Sequence, residues 1–465
     1  MPSILSSHSK RKVFVLETIT VTPHTETGVE IAHHAARGGM DVIYCPMFLS
    51  LSNSYFFSPP GGFESNSFAD VSIYDRNAWK TIWLDYIKHN LPCTANVIDV
   101  IGSSPSLELQ LRYTDFLAFR FDDLPFGELV IRFLAELTRT NFVSMEEVFF
   151  QKIALYAHSL LGDSIRTYEA TKSCSNLWGD GYLVLFNGRT PSTRAALWAA
   201  QKYGASVVFH ERGPNSRTFE LFTEPASHPA SLGKVISDFS RRRDEAEFIS
   251  KSSATKYFKQ LYTHNSIAWH SFTKHQEVFR GQKNENFKDH VVFFLSSQDE
   301  YDSIIGAEEL GFLGDQFATL RAVGEANKAI GRKLIVKSHP SHKEKTAEFK
   351  QFEFLCREIG AKLVPPDDTL NSLELGVSCH CVLTYGSSIS WQLSFEGAPV
   401  GLLARSVGSG FPGVVELKSI TDIISFIEVP PMADSRFAVA YGDYYQNGGI
   451  PFEWFQTTGL FSGHY

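Results

Sequence analysis

A chain of 465 residues, with 43% hydrophobic and 20% charged side chains, can bury a large core and exceeds the size at which a single core stops growing, so two domains are expected. A net charge of −8 and a pI near 6.1 argue against a broad surface for nucleic acid or anionic lipid, although they leave room for a local basic pocket. The six cysteines follow no disulfide or zinc spacing, and the sequence shows neither an export signal nor a membrane-spanning run, so a cytoplasmic protein with reduced thiols is expected.

The first elements predict a β-α-β unit. Residues 12–21 are a β-branched apolar run, residues 29–39 carry apolar side chains at helical spacing, and residues 40–48 return to a strand pattern. The stretch 50–180 is rich in aromatic residues, and it predicts helices near 127–139 and 145–169 but no clear strand.

A second β-α-β unit is predicted from residue 182. The strand at 182–188 (YLVLFNG) leads into a helix with Thr190 or Ser192 near its cap, and residues 205–213 (ASVVFHERG) form the next strand. The arginine run at 240–248 and the polar stretch that follows it to about 288 indicate a region between two domains.

The last third of the chain alternates regularly between strands and helices. Strands are predicted at 290–297, 333–338, 361–365, 380–386 and 398–404, with a helix between each pair. Continuous apolar strands separated by helices are typical of a parallel sheet that is covered on both faces. We therefore predict the α/β class, with an N-terminal Rossmann-like domain and helical insertions over 1–285, a C-terminal Rossmann-like domain over 286–425, and a segment 426–465 that packs back on the body.

Polar residues follow several of these strands. Ligands of open parallel sheets bind beyond the carboxyl ends of the strands, where loops lead into helix N-termini. Four polar clusters fall at such places, at 210–213 (HERG), 296–300 (SSQDE), 337–342 (KSHPSH) and 384–390 (TYGSSIS).

The serines of the last cluster have the features of a phosphate site. Gly386 permits close approach of the backbone, and the hydroxyls of Ser387 and Ser388 can donate beside the positive end of a helix. An ordinary serine cap at the start of that helix is the alternative.

His339 and Pro340 suggest that the same edge is functional. Proline disfavours the helical conformation for the preceding residue, which projects the His339 imidazole from the strand end, with Lys337 as a nearby positive charge. Histidine, lysine and two serines, one βα unit apart, together predict a phosphate-binding site.

Two carboxylates are candidates for catalysis. Glu211 and Asp299 each follow an apolar strand, and a sugar transferase needs an acid to manage the acceptor proton and can use a second to trap the cationic sugar. In the alternative interpretation, Glu211 forms a structural ion pair with Arg212 or Arg189, and Asp299 caps the helix after it.

The motifs resemble those of a known family. The segments 186–189 (FNGR), 210–213 (HERG), 337–340 (KSHP), 384–388 (TYGSS) and 396–400 (EGAPV) are similar in order to bacterial capsule and lipopolysaccharide glycosyltransferases of the Kdo-transferase type. The His-Pro and Ser-Ser elements alone also resemble the GT-B sialyltransferases. The resemblance spans roughly 180–405 and is vague over 45–180.

This resemblance implies a GT-B enzyme, in which two Rossmann-like domains face each other across a cleft. The C-terminal domain would bind a CMP-activated ulosonic acid, Kdo first, and the N-terminal domain would bind a cell-surface glycan or glycolipid acceptor. The enzyme would work without metal or cofactor, would bind no nucleic acid, and would act at the inner face of the membrane, where a peripheral contact is compatible with this function.

The resemblance also implies roles for particular residues. Asp299 matches by place the nucleophile of the retaining β-Kdo transferases, although Glu300 and Asp302 lie close enough to compete for that position, and Glu211 matches the acid on the acceptor side. The CMP phosphate would be held by Lys337, His339, Pro340, Gly386, Ser387 and Ser388. The acceptor side would carry Glu26, Arg189 and Arg212.

Other functions remain open. A CDP-glycerol-type polyol-phosphate transferase, a CMP-sialic acid sialyltransferase and a nucleotide-sugar 2-epimerase share parts of this pattern, and a non-catalytic sugar-nucleotide-binding subunit would need the phosphate site but neither acid. The HERG segment at 210–213 favours the Kdo-type transferase over the polyol-phosphate transferases and epimerases.

Overall fold

The computed structural model of the protein describes residues 11–19, 23–49, 51, 73–98, 112–138, 147–178, 180–226, 228–243, 247–262, 276, 279, 281–297, 310–340, 342, 347–459 and 462–464. The strands are β1 (Lys12–Leu16), β2 (Asp41–Cys45), β3 (Asn96–Val97), β4 (Tyr182–Phe186), β5 (Ser206–Arg212), β6 (Thr218–Phe222), β7 (His290–Phe294), β8 (Lys333–Lys337), β9 (Lys362–Val364), β10 (Cys381–Thr384), β11 (Val400–Leu402), β12 (Val415–Glu416), β13 (Ile450–Pro451), β14 (Gln456–Gly459) and β15 (Ser462–His464).

The helices alternate with these strands. They are α1 (His24–Arg37), α2 (Ile73–Asn90), α3 (Tyr113–Leu117), α4 (Phe126–Thr138), α5 (Glu147–Ser173), α6 (Ser175–Trp178), α7 (Pro191–Lys202), α8 (Pro229–Arg243), α9 (Glu247–Tyr262), α10 (Gln316–Ile330), α11 (Ala347–Glu358), α12 (Ser372–Ser378), α13 (Ile389–Phe395), α14 (Ile420–Glu428) and α15 (Arg436–Asn447). None of the helices in the described ranges is both long enough and apolar enough to cross a membrane.

The chain divides into two compact units. The first unit comprises Met1–Leu134, Met145–His228 and Gly449–Tyr465, and the second comprises Ala135–Ser144 and Pro229–Gly448. The sequence predicts boundaries at 285/286 and 425/426 instead, because the polar stretch 240–288 is typical of a region between domains. In the structure α8, α9 and α15 share one buried cluster with α13, to which Ile236, Phe258, Trp391 and Phe437 contribute.

Each unit is built on one main sheet. The sheet of the first unit has the order β13-β6-β5-β4-β1-β2-β3, in which β1 to β5 pair in parallel and β6 and β13 pair antiparallel. The sheet of the second unit is parallel throughout and has the order β12-β11-β10-β7-β8-β9. Both contain the Rossmann order, in which the first and fourth strands are neighbours and the chain winds outward from them. The predicted α/β class with two Rossmann-like sheets is confirmed.

The second sheet is covered on both faces. Along β7, Val291 and Phe293 enter one buried cluster, whereas Val292 and Phe294 enter another on the opposite face. Successive side chains of a strand point to opposite faces, so a continuous apolar strand needs helices on both. This arrangement leaves the carboxyl ends of the strands as the place where polar loops collect.

The C-terminal segment adds an edge strand to the first sheet. Ile450 of β13 pairs with Phe219 of β6, and the carboxylate of Glu30 on α1 accepts hydrogen bonds from the backbone N–H groups of Glu453 and Trp454. The segment 426–465, predicted to pack back on the body, therefore contributes to both units. Its helix α15 packs in the second unit, and its strand β13 pairs in the first.

Candidate functional site

Three neighbouring strands of the second unit end at the same level. The register aligns Thr384 of β10 with Phe294 of β7, and Phe294 with Lys337 of β8. Adjacent strands lie about 4.8 Å apart, so the loops that follow these residues start within roughly 10 Å of one another. We call them the first loop (residues 295–297), the histidine loop (residues 338–340) and the serine loop (residues 385–388).

The backbone of the serine loop is tightly fixed. Gly386 has φ +75°, in the left-handed region that favours glycine, and the N–H of Tyr385 bonds to the carbonyl of Phe294, 3.3 Å away. The buried hydroxyl of Ser390 donates to the carbonyl of Ser387 and lies 2.8 Å from the hydroxyl of Thr384. The loop therefore enters α13 in one defined conformation.

The two predicted phosphate-binding serines are not used by this scaffold. Ser388 occupies the cap position of α13, but its side chain makes no capping hydrogen bond. Ser387 is half-buried and Ser388 is exposed, and within the described part of the chain neither hydroxyl has a hydrogen-bond partner. The ordinary serine cap, which was the alternative interpretation, is thus not what these side chains do here.

A glutamine that the sequence analysis missed fixes the first loop. The side-chain amide of Gln316, fully buried at the start of α10, accepts from the N–H of Ser296 and donates to the carbonyl of Ser296 at 3.2 Å. Buried backbone N–H and C=O groups need hydrogen-bond partners. For Ser296, the Gln316 amide provides the hydrogen bonds that a neighbouring strand would otherwise provide. A glutamine at the first turn of a predicted helix gave no sequence signal for this contact.

The histidine loop places His339 at the edge of the sheet. His339 is half-buried, and its carbonyl accepts from the N–H of His342, which closes a turn after β8. The hydroxyl of Ser338 lies 2.9 Å from Nδ1 of His342, whose ring stacks on Phe352 at a centroid distance of 5.8 Å. His342 therefore belongs to the support of this loop.

Lys337 is directed away from the serine loop. Its ammonium group donates to the carbonyl of Pro365, 3.1 Å away, and Pro365 follows β9, the neighbour of β8 on the side opposite to β7 and β10. Burial lowers the pKa of Lys337, and the carboxylates of Asp368 and Asp367 partly oppose that change. The structure does not bring this cation to the predicted phosphate site.

Asp299, together with its neighbours Glu300 and Asp302, lies outside the described residues. Its predicted role as a nucleophile stays a prediction.

In the first unit, a second polar set follows β4 and β5. Asn187 has φ +26°, which is uncommon for a residue other than glycine, and its side-chain oxygen accepts from the N–H of Arg189 at 2.8 Å. Glu211 follows on β5, and its Oε1 accepts from the N–H of Arg212 at 3.0 Å. The structure thus brings together the predicted residues Arg189, Glu211 and Arg212.

The carboxyl group of Glu211 is partly accessible, and its pKa is raised. Its side chain is 25% exposed. Desolvation raises its pKa, whereas hydrogen bonds from the Arg212 N–H and the Asn187 side chain and the charges of Arg189 and Arg212 lower it. Burial also lowers the pKa of Arg212 to about 10, and Glu211 opposes that change. The charges of both arginines therefore act on Glu211, and its catalytic role stays a prediction.

Two buried histidines beside Glu211 were missed by the sequence analysis. Burial lowers the pKa of His24, at the start of α1, to about 3, and the charge of Arg212 contributes. Burial likewise lowers the pKa of His210 to about 3. Both imidazoles are therefore neutral at pH 7. The signal for His24 was its place in the loop after β1, at the same edge as the other polar clusters.

Glu26, predicted on the acceptor side, is fully buried in the first turn of α1. It lies close enough to the buried Glu17, just after β1, to raise the pKa of that carboxyl group further, although burial is the main cause. A Cβ at Gly28 would lie 2.8 Å from Oε2 of Glu17, so glycine makes room for the carboxyl group. Tyr44 and the backbone N–H groups of residues 18 and 19 partly oppose the rise in pKa without reaching hydrogen-bond geometry.

The described polar residues do not form a cluster of the kind that binds a metal ion. Among the residues for which the structure gives side chains, no group of three or more His, Cys, Asp or Glu residues is placed to hold a metal ion.

No protein-family model and no curated protein matches the chain. Solved structures that resemble it include a β-Kdo 2,4 transferase, KpsC of Thermosulfurimonas dismutans, with 12% identity and TM-score 0.33 over 57% of this chain and 79% of that protein. MurG of Acinetobacter baumannii has 10% identity and TM-score 0.26 over 96% of each chain. The UDP-GlcNAc 2-epimerase of Neisseria meningitidis has 11% identity and TM-score 0.25 over 94% of this chain and 96% of that protein. Likeness at this level does not extend to substrates or to the roles of residues.

Proposed function

We propose that the protein is a GT-B glycosyltransferase that transfers an ulosonic acid, Kdo first, from its CMP-activated form to a glycan or glycolipid acceptor. The second unit binds the donor, and the first unit carries the acid that handles the acceptor. No metal or cofactor takes part, and CMP-sugar is a substrate.

One observation carries this proposal, the register that ends β10, β7 and β8 at the same level. It places the serine loop and the histidine loop on either side of the first loop, at the point where the chain order of a Rossmann sheet reverses and ligands bind. Among the described residues, the hydroxyls of Ser387 and Ser388 have no hydrogen-bond partner there, which suits a ligand that accepts hydrogen bonds.

CMP is a good leaving group, so the protein has mainly to stabilise the negative charge that develops as CMP departs. It departs as a phosphate monoester, and the bond from the anomeric carbon to the phosphate oxygen breaks with its electron pair going to that oxygen. Donors aimed at the oxygen stabilise the developing charge, and each one contributes about 3–4 kcal/mol in comparable oxyanion sites. Ser387, Ser388 and His339 are the donors in this proposal.

The stereochemical course would be retention through two displacements. In the first, the carboxylate of Asp299 bonds to the anomeric carbon as CMP leaves. In the second, the acceptor O–H bond breaks, its proton passes to the carboxylate of Glu211, and the acceptor oxygen bonds to the anomeric carbon as Asp299 leaves with its electron pair. Glu211 suits the second step because its side chain is accessible and its pKa is raised.

A thermal-shift screen against CMP, CDP, UDP and GDP tests the donor class. CMP should stabilise the protein by about 2.7 kcal/mol at a hundredfold excess over its Kd. The variant Ser387→Ala/Ser388→Ala should lose most of this shift. A larger shift with UDP or GDP would exclude the CMP donor.

Chelation separates the proposal from the CDP-glycerol alternative. Release of CMP from CMP-Kdo should survive EDTA, since a monoester leaving group needs no divalent ion. Loss of turnover on chelation, restored by magnesium, would favour a diphosphate donor. Binding of CMP without any release from CMP-Kdo, CMP-sialic acid or CDP-glycerol would leave the non-catalytic binding subunit.

Mass spectrometry of the intact protein tests retention. Glu211→Gln should accumulate a glycosyl adduct with CMP-Kdo, and Asp299→Asn in the same background should not. An inverted product together with the absence of an adduct would remove Asp299 from the role of nucleophile.

A further inference from the structure

His24 and Glu211 form a pair at the carboxyl edge of the first sheet. Nδ1 of His24 lies 3.4 Å from Oε1 of Glu211. The two residues are far apart in sequence, and they meet because α1 begins over the end of β5, to which the helix packs.

The two members of the pair differ in accessibility. The side chain of Glu211 is 25% exposed, whereas that of His24 is 8% exposed. The ring of His24 packs against Phe186 at a centroid distance of 4.5 Å, which fixes its plane. Within the described residues, Nδ1 of His24 is buried and has no hydrogen-bond partner of good geometry. A substrate can therefore contact the side chain of Glu211, whereas the side chain of His24 is largely shielded from solvent.

The charges around the pair explain why His24 is neutral. Among the described residues, Arg212 and His210 on β5, Arg189 after β4, and Glu220, which the register places opposite Glu211 on β6, are titratable groups next to it or its partner. Burial and the positive charge of Arg212 lower the pKa of His24 to about 3, so the imidazole carries no charge at pH 7 even though its distance to Glu211 is that of an ion pair.

We propose that His24 is a positioning residue for Glu211, and that its Nδ1–H donates a hydrogen bond to the carboxylate when the acceptor binds. This inference rests on the proposed function, in which Glu211 takes the proton of the acceptor hydroxyl. Hydrogen bonds of catalytic groups are often long in ligand-free structures and tighten in the complex, so a separation of 3.4 Å is compatible with this role.

A neutral donor suits a base better than a cation does. A charged partner would stabilise the carboxylate strongly and reduce its basicity, whereas a neutral N–H orients the carboxylate at a smaller cost in basicity. The arrangement has the same logic as other sites in which a base is oriented by a third group. No proton is transferred to His24 in this scheme.

Two substitutions at one position separate orientation from packing. His24→Phe keeps a ring against Phe186 and removes the donor, whereas His24→Asn places an amide N–H near the former Nδ1. The assay is hydrolysis of CMP-Kdo, in which water replaces the acceptor. His24→Phe should lower kcat by about 10- to 100-fold, as expected for loss of a hydrogen bond to a charged group, with kcat/KM for CMP-Kdo unchanged because Glu211 acts after CMP has left. His24→Asn should recover most of the loss.

The pH profile gives a readout that a structural role would not move. Without the donor, the ionised form of Glu211 is less stable, so the acid limb of kcat, which includes the second displacement, should shift to higher pH in His24→Phe and return in His24→Asn. In the Glu211→Gln background, His24→Phe should have no further effect on kcat. Equal loss of kcat in both His24 variants, or additive effects with Glu211→Gln, would overturn the proposal.

A stability cycle tests the pair without enzymatic turnover. The melting temperatures of His24→Phe, Glu211→Gln and the double variant should be non-additive if the two side chains interact. If no CMP-sugar is turned over while the cycle is non-additive, the proposed function fails but the pair stands. If the cycle is additive, the pair fails, whatever the activity.

Discussion

The hydroxyl of Ser390 donates a hydrogen bond to the carbonyl oxygen of Ser387, 2.6 Å away, from the first turn of the helix that Ser387 precedes. Ser390 is fully buried and also contacts the hydroxyl of Thr384 at 2.8 Å. Ser390 of α13 thus fixes the backbone of the serine loop, whereas Ser387 and Ser388, three and two residues before it, have hydroxyls without a hydrogen-bond partner among the described residues. The three serines offer a matched set of variants.

The double variant Ser387→Ala/Ser388→Ala should lose affinity for CMP and keep its stability. Each hydroxyl would contribute a hydrogen bond to a charged phosphate, worth about 1.5–3 kcal/mol, so affinity should fall by roughly a hundredfold or more. Calorimetric titration with CMP and the melting temperature of the free protein measure the two effects.

Ser390→Ala is the control for that experiment. It should lower the stability of the protein and keep its affinity for CMP. It removes the partner of the Ser387 carbonyl and of the buried Thr384 hydroxyl, which costs about 1–3 kcal/mol of stability. Equal losses of CMP affinity in the control and the double variant would mean that the serines act only through the backbone of the loop.

His339→Ala should weaken CMP binding or turnover by about tenfold without unfolding the protein, because the side chain lies half-buried at the strand edge and not in the core. His380→Ala is the matched control, since His380 precedes β10 at the opposite end of the sheet and bonds to the carbonyl of Ile427 at 2.7 Å. The control should lower the melting temperature and leave CMP affinity unchanged. A His339 variant that binds CMP as tightly as the parent would remove this residue from the phosphate site.

The sequence predicts the second unit well because its signals are local. An apolar run such as that of β7 is buried on both faces, so the pattern of a single segment predicts both the strand and its parallel neighbours. The polar residues that follow the strands were found for the same reason, and the loops of Ser387 and His339 start at one edge of the sheet, on either side of the first loop.

Side-chain directions at this edge could not be predicted from the sequence. Lys337 was expected to face the phosphate site, but a carbonyl that follows β9 offers its ammonium group a hydrogen bond on the other side. Likewise α8 and α9 precede the predicted boundary at 285/286, yet they share a buried cluster with Phe437, which comes almost two hundred residues later. Long-range partners of this kind leave no local pattern.

Glu17→Gln should stabilise the protein at pH 8 and lose that advantage by pH 4. Burial raises the pKa of Glu17 well above its ordinary value, so the folded state holds a proton that the unfolded state releases. The stability associated with the protonated group is complete below the unfolded pKa and is lost as pH rises towards the folded one, at about 1.4 kcal/mol per pH unit. Urea unfolding of both proteins from pH 4 to pH 8 measures the difference.

The exposed Glu224 of the same unit provides the control, since Glu224→Gln should leave the pH dependence unchanged. A Glu17 variant with the same curve as the parent would mean that this carboxyl group is solvated and ionised in the folded protein.

Acid should destabilise the Glu17→Gln variant, in which the opposing contribution of Glu17 is removed, from about pH 6.5 downward. The pKa values of His24 and His210 are lowered to about 3 by burial, so the unfolded state binds protons that the folded state does not. Each histidine should cost about 2 kcal/mol of stability at pH 5. Urea midpoints between pH 7 and pH 4.5 measure the loss, and His24→Phe should remove about half of it.

His89→Asn, at an exposed position on α2, should leave the acid dependence of stability unchanged. If the His24 variant follows the same pH curve as the parent, His24 is accessible to protons in the folded state, and the neutral partner proposed for Glu211 is lost with it.

The pairing of Ile450 with Phe219 has a consequence for biosynthesis. A ribosome delivers β6 before the main part of the second unit, residues 229–448, and β13 only after it, so the nascent first unit presents an unpaired strand edge for the whole time that this part is being made. Unpaired edges recruit other strands, and β6 is buried along its length in the finished protein. Ribosomes stalled before residue 449 would therefore release chains that aggregate, even though every residue of the serine and histidine loops has already been translated.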